Sequence, residues 1–182
     1  MYDALFKVVI FGDSCSGKTT LRKRFMTNTF IPDSRRTIGV DFETKILEID
    51  SLEVKLMMWD FAGEEKFRFI FPQYVYGAMG GILMYDITNY SSFSHIQEWL
   101  AILKESNQNF PLILLGGKSD LDDLREIPWK LGMTAAESMS MTEFVECSSK
   151  TGENVNETFV TLARIMLNNM MVNKGVQQSI IV

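Results

Sequence analysis

The stretch Gly12-Asp13-Ser14-Cys15-Ser16-Gly17-Lys18-Thr19 fits the pattern G-x-x-x-x-G-K-[ST], and no other feature constrains this chain as much. It lies where an apolar run from Leu5 to Phe11, which reads as a buried strand, gives way to helical spacing from Thr19 to Met26. Glycines let such a turn close around phosphate oxygens, successive backbone N–H groups and the helix N-terminus favour negative charge, and Lys18 adds a point charge. Thr19 supplies a hydroxyl for Mg²⁺, with Thr20 beside it. The bland alternative is a glycine turn with an exposed lysine, but at ordinary glycine usage this pattern arises by chance in roughly one chain of this length in a hundred, before a strand and helix are also required.

The rest of the chain alternates between strand and helix signals. Phe42 to Ile49 and Val54 to Trp59 flank Asp50 and Ser51 as an antiparallel hairpin, while Gly81 to Tyr85 and Leu112 to Leu115 are apolar runs of the kind covered on both faces. Ser92 is placed to cap a helix spaced by Phe93, Ile96, Leu100 and Leu103, and Asn154 to cap one spaced by Val155, Phe159, Leu162, Ile165 and Met166. Trp129 to Met141 reads as one short helix before a strand from Glu143 to Cys147. The alternation implies a doubly wound sheet in one domain over residues 1–171, with a flexible tail over 172–182 where periodicity is lost.

Composition narrows the possible roles. A formal charge of -5 offers no overall positive field for phosphate backbones, so nucleic acid is not an expected partner. Cys15 and Cys147 are too few for a disulfide framework and read as free thiols. No run of apolar residues reaches a membrane span, Met1 to Lys7 lacks a secretory pattern, and Gln178 to Val182 contains no cysteine to carry a prenyl chain. The expected location is therefore cytoplasmic, peripheral on membranes at most through partners or a further C-terminal segment.

A phosphate loop alone does not separate kinases, ATPases and GTPases. Trp59-Asp60-Phe61-Ala62-Gly63 follows a predicted strand, placing Asp60 to reach Mg²⁺ and Gly63 to offer a backbone N–H to a terminal phosphate. With Thr37-Ile38-Gly39-Val40-Asp41-Phe42, Glu65-Lys66-Phe67-Arg68, Gly77-Ala78-Met79-Gly80 and Tyr85-Asp86-Ile87-Thr88 in order, the chain resembles small GTPases of the Ras superfamily, and the Rab family most, from Leu5 to about Met171. The resemblance implies the P-loop NTPase three-layer α/β fold, with a mostly parallel six-stranded sheet, one antiparallel hairpin strand and about five helices.

It also implies a site. Thr19, Thr37 and Asp60 would bind Mg²⁺, and Thr37 would also meet the γ-phosphate and order the first switch loop. Asp13, Ser14, Cys15, Ser16, Gly17, Lys18, Thr19 and Thr20 would hold the phosphates, with Phe30 packing over guanine. Lys118 and Asp120 match the base-recognition motif, and Ser148, Ser149 and Lys150 the loop that completes the base pocket. Asp120 can accept from the ring N–H and the amino group of guanine, donors that adenine does not present together. Phe42, Trp59 and Tyr74 have the spacing of the aromatic triad through which Rab proteins meet effectors, although core packing accounts equally well for them. Exchange factors, activating proteins and a role in vesicle trafficking belong to the same implication, and Phe67, Phe69 and Phe71 form either an interaction surface or a core of the second switch.

Several positions depart from the family. Glu64 stands where the family has a glutamine that orients water. A carboxylate there meets the like charge of the γ-phosphate, so intrinsic hydrolysis, with Lys18, Thr37 and Gly63 as the other catalytic candidates, is expected to be slow. Gly117 replaces the asparagine of the base motif, at an expected cost of about 1 to 3 kcal/mol, and restoring asparagine is expected to raise affinity. Cys15 is expected to fill space or, less simply, to act as a redox-sensitive thiol, Phe61 to repack the second switch, and His95 to serve at the surface or as a cap. The twelve methionines read as core filling. The leading function is a GTP-hydrolysing switch; the alternative is a binding module that holds nucleotide for structure or holds none, favoured by Glu64 and Gly117. Retention of Lys18, Thr19, Thr37, Asp60 and Asp120 favours the switch, and a small kinase is a distant third because nothing between Asp120 and Glu143 reads as an arginine-rich lid.

Overall fold

Five parallel strands and one antiparallel strand form one sheet in the computed structural model, which describes residues 2–32, 37–106 and 108–179, with side chains described through Val172. The strands are β1 (Ala4–Phe11), β2 (Val40–Ile49), β3 (Leu52–Phe61), β4 (Gly80–Asp86), β5 (Leu112–Gly117) and β6 (Glu143–Cys147), in the order β2-β3-β1-β4-β5-β6. Among the described residues only β2 and β3 pair antiparallel, from Val40 opposite Phe61 to Ile49 opposite Leu52. Asp50 and Ser51 close that hairpin with φ of 51° and 66°, the paired left-handed conformation that matches strand twist in a two-residue turn. β4, flanked by β1 and β5, is buried along its whole length, as its continuous apolar sequence requires.

The helices are α1 (Lys18–Thr27), α2 (Phe71–Val75), α3 (Tyr90–Ser94), α4 (Ile96–Glu105), α5 (Trp129–Ser138) and α6 (Val155–Ser179). One face of the sheet packs Phe6, Val8, Met58, Ile82 and Met84 against Leu21 and Phe25 of α1 and Phe159, Leu162 and Met166 of α6. The other packs Val9, Phe11, Phe61, Leu83 and Leu114 against Phe71, Val75, Ile96, Trp99 and Ala136. Helices on both faces give the three layers expected.

Among the described residues there are six α-helices, in line with the five or so expected. Phe71–Val75 forms a turn of helix with Pro72 at its start, and the helix expected after Ser92 is two, divided at His95 (φ -82°, ψ -1°). Asn89, not Ser92, caps α3: its side chain accepts from Ser92 N at 3.4 Å, while the buried Ser92 hydroxyl accepts from Asp86 N and donates to the Asn89 carbonyl. Asn154 precedes α6 as expected, but its amide donates to the Glu146 carbonyl instead of capping through its side chain. Helix α6 continues past Met171 to Ser179, and Ile180 to Val182 lie outside the described residues. Among the described residues no helix is long and apolar enough to cross a membrane.

Candidate nucleotide and magnesium site

Because β1, β4, β5 and β6 run parallel, the segments that follow them meet at one edge of the sheet, where α/β proteins build ligand sites. The loop after β1 lies directly on its neighbours. A Cβ on Gly12 would stand 2.1 Å from the Met84 carbonyl oxygen, and one on Gly63 would stand 2.3 Å from Ser14 N and 2.4 Å from Gly12 O. Both contacts are with backbone, so neither position accepts a side chain. Gly63 O also accepts from Ser14 N at 3.2 Å, joining the second switch to the phosphate loop.

Lys18 is buried within this loop, its ammonium donating to the Asp13 carbonyl at 2.6 Å. Burial pushes the ammonium down to about 8, with Asp60 and Asp13 opposing. Thr19, Thr37 and Asp60 converge beside it. The Thr19 hydroxyl donates to Asp60 Oδ2 at 2.5 Å, so Thr37, 2.8 Å away, donates to Thr19. Asp60 is fully buried, its Oδ1 has no hydrogen-bond partner among the described residues, and burial raises its carboxyl above the usual range. Two hydroxyls and a buried carboxylate with an unused oxygen form an all-oxygen donor set that fits Mg²⁺. Arg22, also buried, pairs with Asp41 and Glu43 of β2 and so ties α1 to the strand that follows Thr37.

A cavity of about 410 Å³ opens next to the phosphate loop, lined by Gly17, Thr20, Phe30, Met84, Lys118 and Asp120 together with Pro32, Leu121, Ser149 and Lys150. Asp120 is held in place by the Ser148 hydroxyl, which donates to Oδ1 at 2.6 Å, and Lys150 Nζ lies 3.7 Å from Oδ2. Lys118 adopts φ 66° and pairs with Asp86 at 2.5 Å. The candidates for base, phosphate and metal therefore come together on one continuous surface.

Four of the candidates lie in or beside the phosphate loop. The Asp13 carboxylate turns away from the loop: Oδ1 accepts from Trp99 Nε1 at 2.9 Å and Arg68 Nη2 at 3.2 Å, and Oδ2 from His95 Nδ1 at 2.6 Å. His95 stands at the N-cap position of α4, 35% exposed and without a side-chain cap bond, and it also bridges to the phosphate loop through Asp13, a contact its isolated position in sequence gave no signal to reveal. Cys15 is exposed with φ 64°, so it fills no interior space. Glu64 lines an open cleft with Gly63, Arg68 and His95, and its carboxylate pairs with Lys66 at 3.0 Å.

The aromatic candidates form a continuous row on the neighbouring surface. Phe42, 57% exposed, stacks on Trp59 at 5.2 Å between ring centres, and Trp59 meets Tyr74 at 5.9 Å. Phe67, Phe69 and Phe71 divide by role: Phe69 is 78% exposed, Phe71 is fully buried and Phe67 lies between. Phe61 packs against Phe71, Trp99 and Tyr74, anchoring the second switch through its own core.

The fold and this surface define a P-loop nucleotide-binding domain. The Ras family model matches residues 7–168. GTP-binding protein ypt2 of Schizosaccharomyces pombe is 40% identical over 164 residues, covering 90% of this chain and 82% of that protein. Ras-related protein SEC4 of Saccharomyces cerevisiae is 40% identical over 174 residues (95% and 80%), and human Ras-related protein Rab-8B is 40% identical over 170 (93% and 82%). The chain belongs to the Ras family, as a Rab-like small GTPase.

Proposed function

We propose that this protein binds GTP and GDP with Mg²⁺ and alternates between two states of its switch segments, with slow intrinsic hydrolysis. The observation that carries the nucleotide choice is Asp120, fixed by Ser148 in a cavity that adjoins the phosphate loop. Its two carboxylate oxygens match the adjacent N–H donors of guanine. Lys18 and the loop amides hold the phosphates, and Thr19, Thr37 and Asp60 hold Mg²⁺, which when bound neutralises charge on phosphate oxygens. Thr37 and Gly63 reach the terminal phosphate from the first and second switches, so its loss on hydrolysis frees both.

Slow hydrolysis follows from Glu64. Its carboxylate is negative beside a negative phosphate and is already paired with Lys66, so it is a poor orienter of water. An activating partner that supplies a cation would raise the rate. Phe42, Trp59 and Tyr74 provide a surface for effectors, exchange factors and activating proteins, with membrane traffic as the setting and attachment to membranes through partners or a lipid anchor. The test is to denature the purified protein and chromatograph what is released. Guanine nucleotide is the expected product; adenine nucleotide, or an empty protein that also fails to bind added GTP, would overturn the assignment.

A further inference from the structure

Three glycines surround Met84. Its backbone lies beneath Gly12, and its side chain, 1% exposed, reaches between Gly17 of the phosphate loop and Gly117 at the end of β5. The Met84 methyl carbon lies 3.2 Å from where a Gly17 Cβ would be and only 2.3 Å from where a Gly117 Cβ would be. The other neighbours of that Gly117 position are backbone oxygens of Ser16, at 3.1 Å, and Tyr85, at 3.4 Å, which cannot move aside. The space at 117 is therefore not vacant: a thioether methyl from the adjacent strand occupies it, and that same side chain lines the cavity that holds Asp120.

We propose that Met84 is a specificity-determining residue which replaces, by packing, the side chain absent at Gly117. It braces the phosphate loop against β5 through dispersion contacts and gives the base cavity an apolar floor. The proposal rests on guanine binding as described above. With Asp120 on the N1–H and amino edge, a guanine in this cavity would turn its imidazole edge, with its N7 acceptor, away from Asp120 toward the remaining lining, which includes Gly17 and Met84. A methyl group offers no hydrogen bond there, so the base is recognised through its Asp120 edge and N7 contributes nothing.

Gly117→Asn alone does not raise affinity, because the new side chain displaces the Met84 methyl, and the yielding side is the base cavity. Only with Met84→Val is there room for the asparagine.

The experiment compares GDP with 7-deaza-GDP, in which N7 is replaced by C–H, on native protein, G117N, M84V and the double variant, alongside thermal unfolding of all four. The native protein is expected to bind the two nucleotides within about threefold, G117N to bind GDP at least about tenfold more weakly, and the double variant to regain affinity and prefer GDP over 7-deaza-GDP by about tenfold. The unfolding temperatures should show coupling, with G117N destabilising alone and less so beside M84V. Native protein that binds GDP at least tenfold better than 7-deaza-GDP, G117N that binds GDP more tightly than native, or additive unfolding shifts would overturn the proposal. Native protein that binds neither ligand would overturn the guanine assignment beneath it and the proposal with it, an outcome distinct from the other three.

Discussion

Asp13 is the residue whose removal is expected to loosen the link between the phosphate loop and the second switch. Its carboxylate accepts from Arg68, Trp99 and His95, and Arg68 pairs in turn with Glu98 at 2.6 Å, so three donors from the second switch and from α4 with its N-cap depend on one side chain. Hydrogen bonds to a charged group contribute about 1.5 to 3 kcal/mol each when isolated. Here they share one acceptor group and His95 is 35% exposed in its side chain, so screening and non-additivity bring the loss in Asp13→Ala to about 3 kcal/mol. For a chain of this length each kcal/mol moves Tm by about 2 to 4 °C, which gives a fall of about 6 to 12 °C by calorimetry. Asp13→Asn keeps one acceptor oxygen toward Arg68 and Trp99 and should lose about half as much. A Tm for Asp13→Ala within about 2 °C of native would refute the argument that these contacts act together.

Other outcomes follow from the same geometry. Gly63→Ala places a Cβ 2.3 Å from Ser14 N, parting the second switch from the phosphate loop, and should slow phosphate release about a hundredfold in single-turnover assays. Glu64→Gln removes the negative charge and the pairing with Lys66 and should speed intrinsic hydrolysis by about tenfold or more. At about pH 8 an aromatic disulfide reagent should label exposed Cys15 promptly and leave Cys147 untouched, because burial pushes the Cys147 thiol up to about 12. Since that shift is upward, the Cys147 contribution to stability is complete below about pH 9 and is lost as pH rises toward 12, which urea unfolding across that window checks.

Much of the architecture was legible because the strands carry their burial in their sequence. β4 and β5 are apolar runs covered on both faces, and the Asp50-Ser51 turn marks the hairpin. The phosphate loop, Thr37, Asp60, Asp120 and Ser148 became candidates because each belongs to a motif with fixed spacing, and in the structure Thr37 meets Thr19 and Asp120 meets Ser148. Contacts across long sequence distances left no such mark. The break at His95 accompanies a bond to Asp13, 82 residues earlier, and nothing near His95 in the chain announces it. Met84 reads as one more apolar residue in a buried strand; its significance depends on three glycines that the fold brings around it. The Ser92 cap failed for a related reason, since a buried backbone N–H at Asp86 competes for its hydroxyl.

The most direct measurement of the central claim is single-turnover phosphate release from GTP in the presence of Mg²⁺, run beside an identical reaction with ATP. Slow release from GTP and none from ATP is the predicted result, because the proposed function has Asp120 select the base and Glu64 limit the chemistry. Equal use of ATP, or no release with no guanine nucleotide bound, would contradict it.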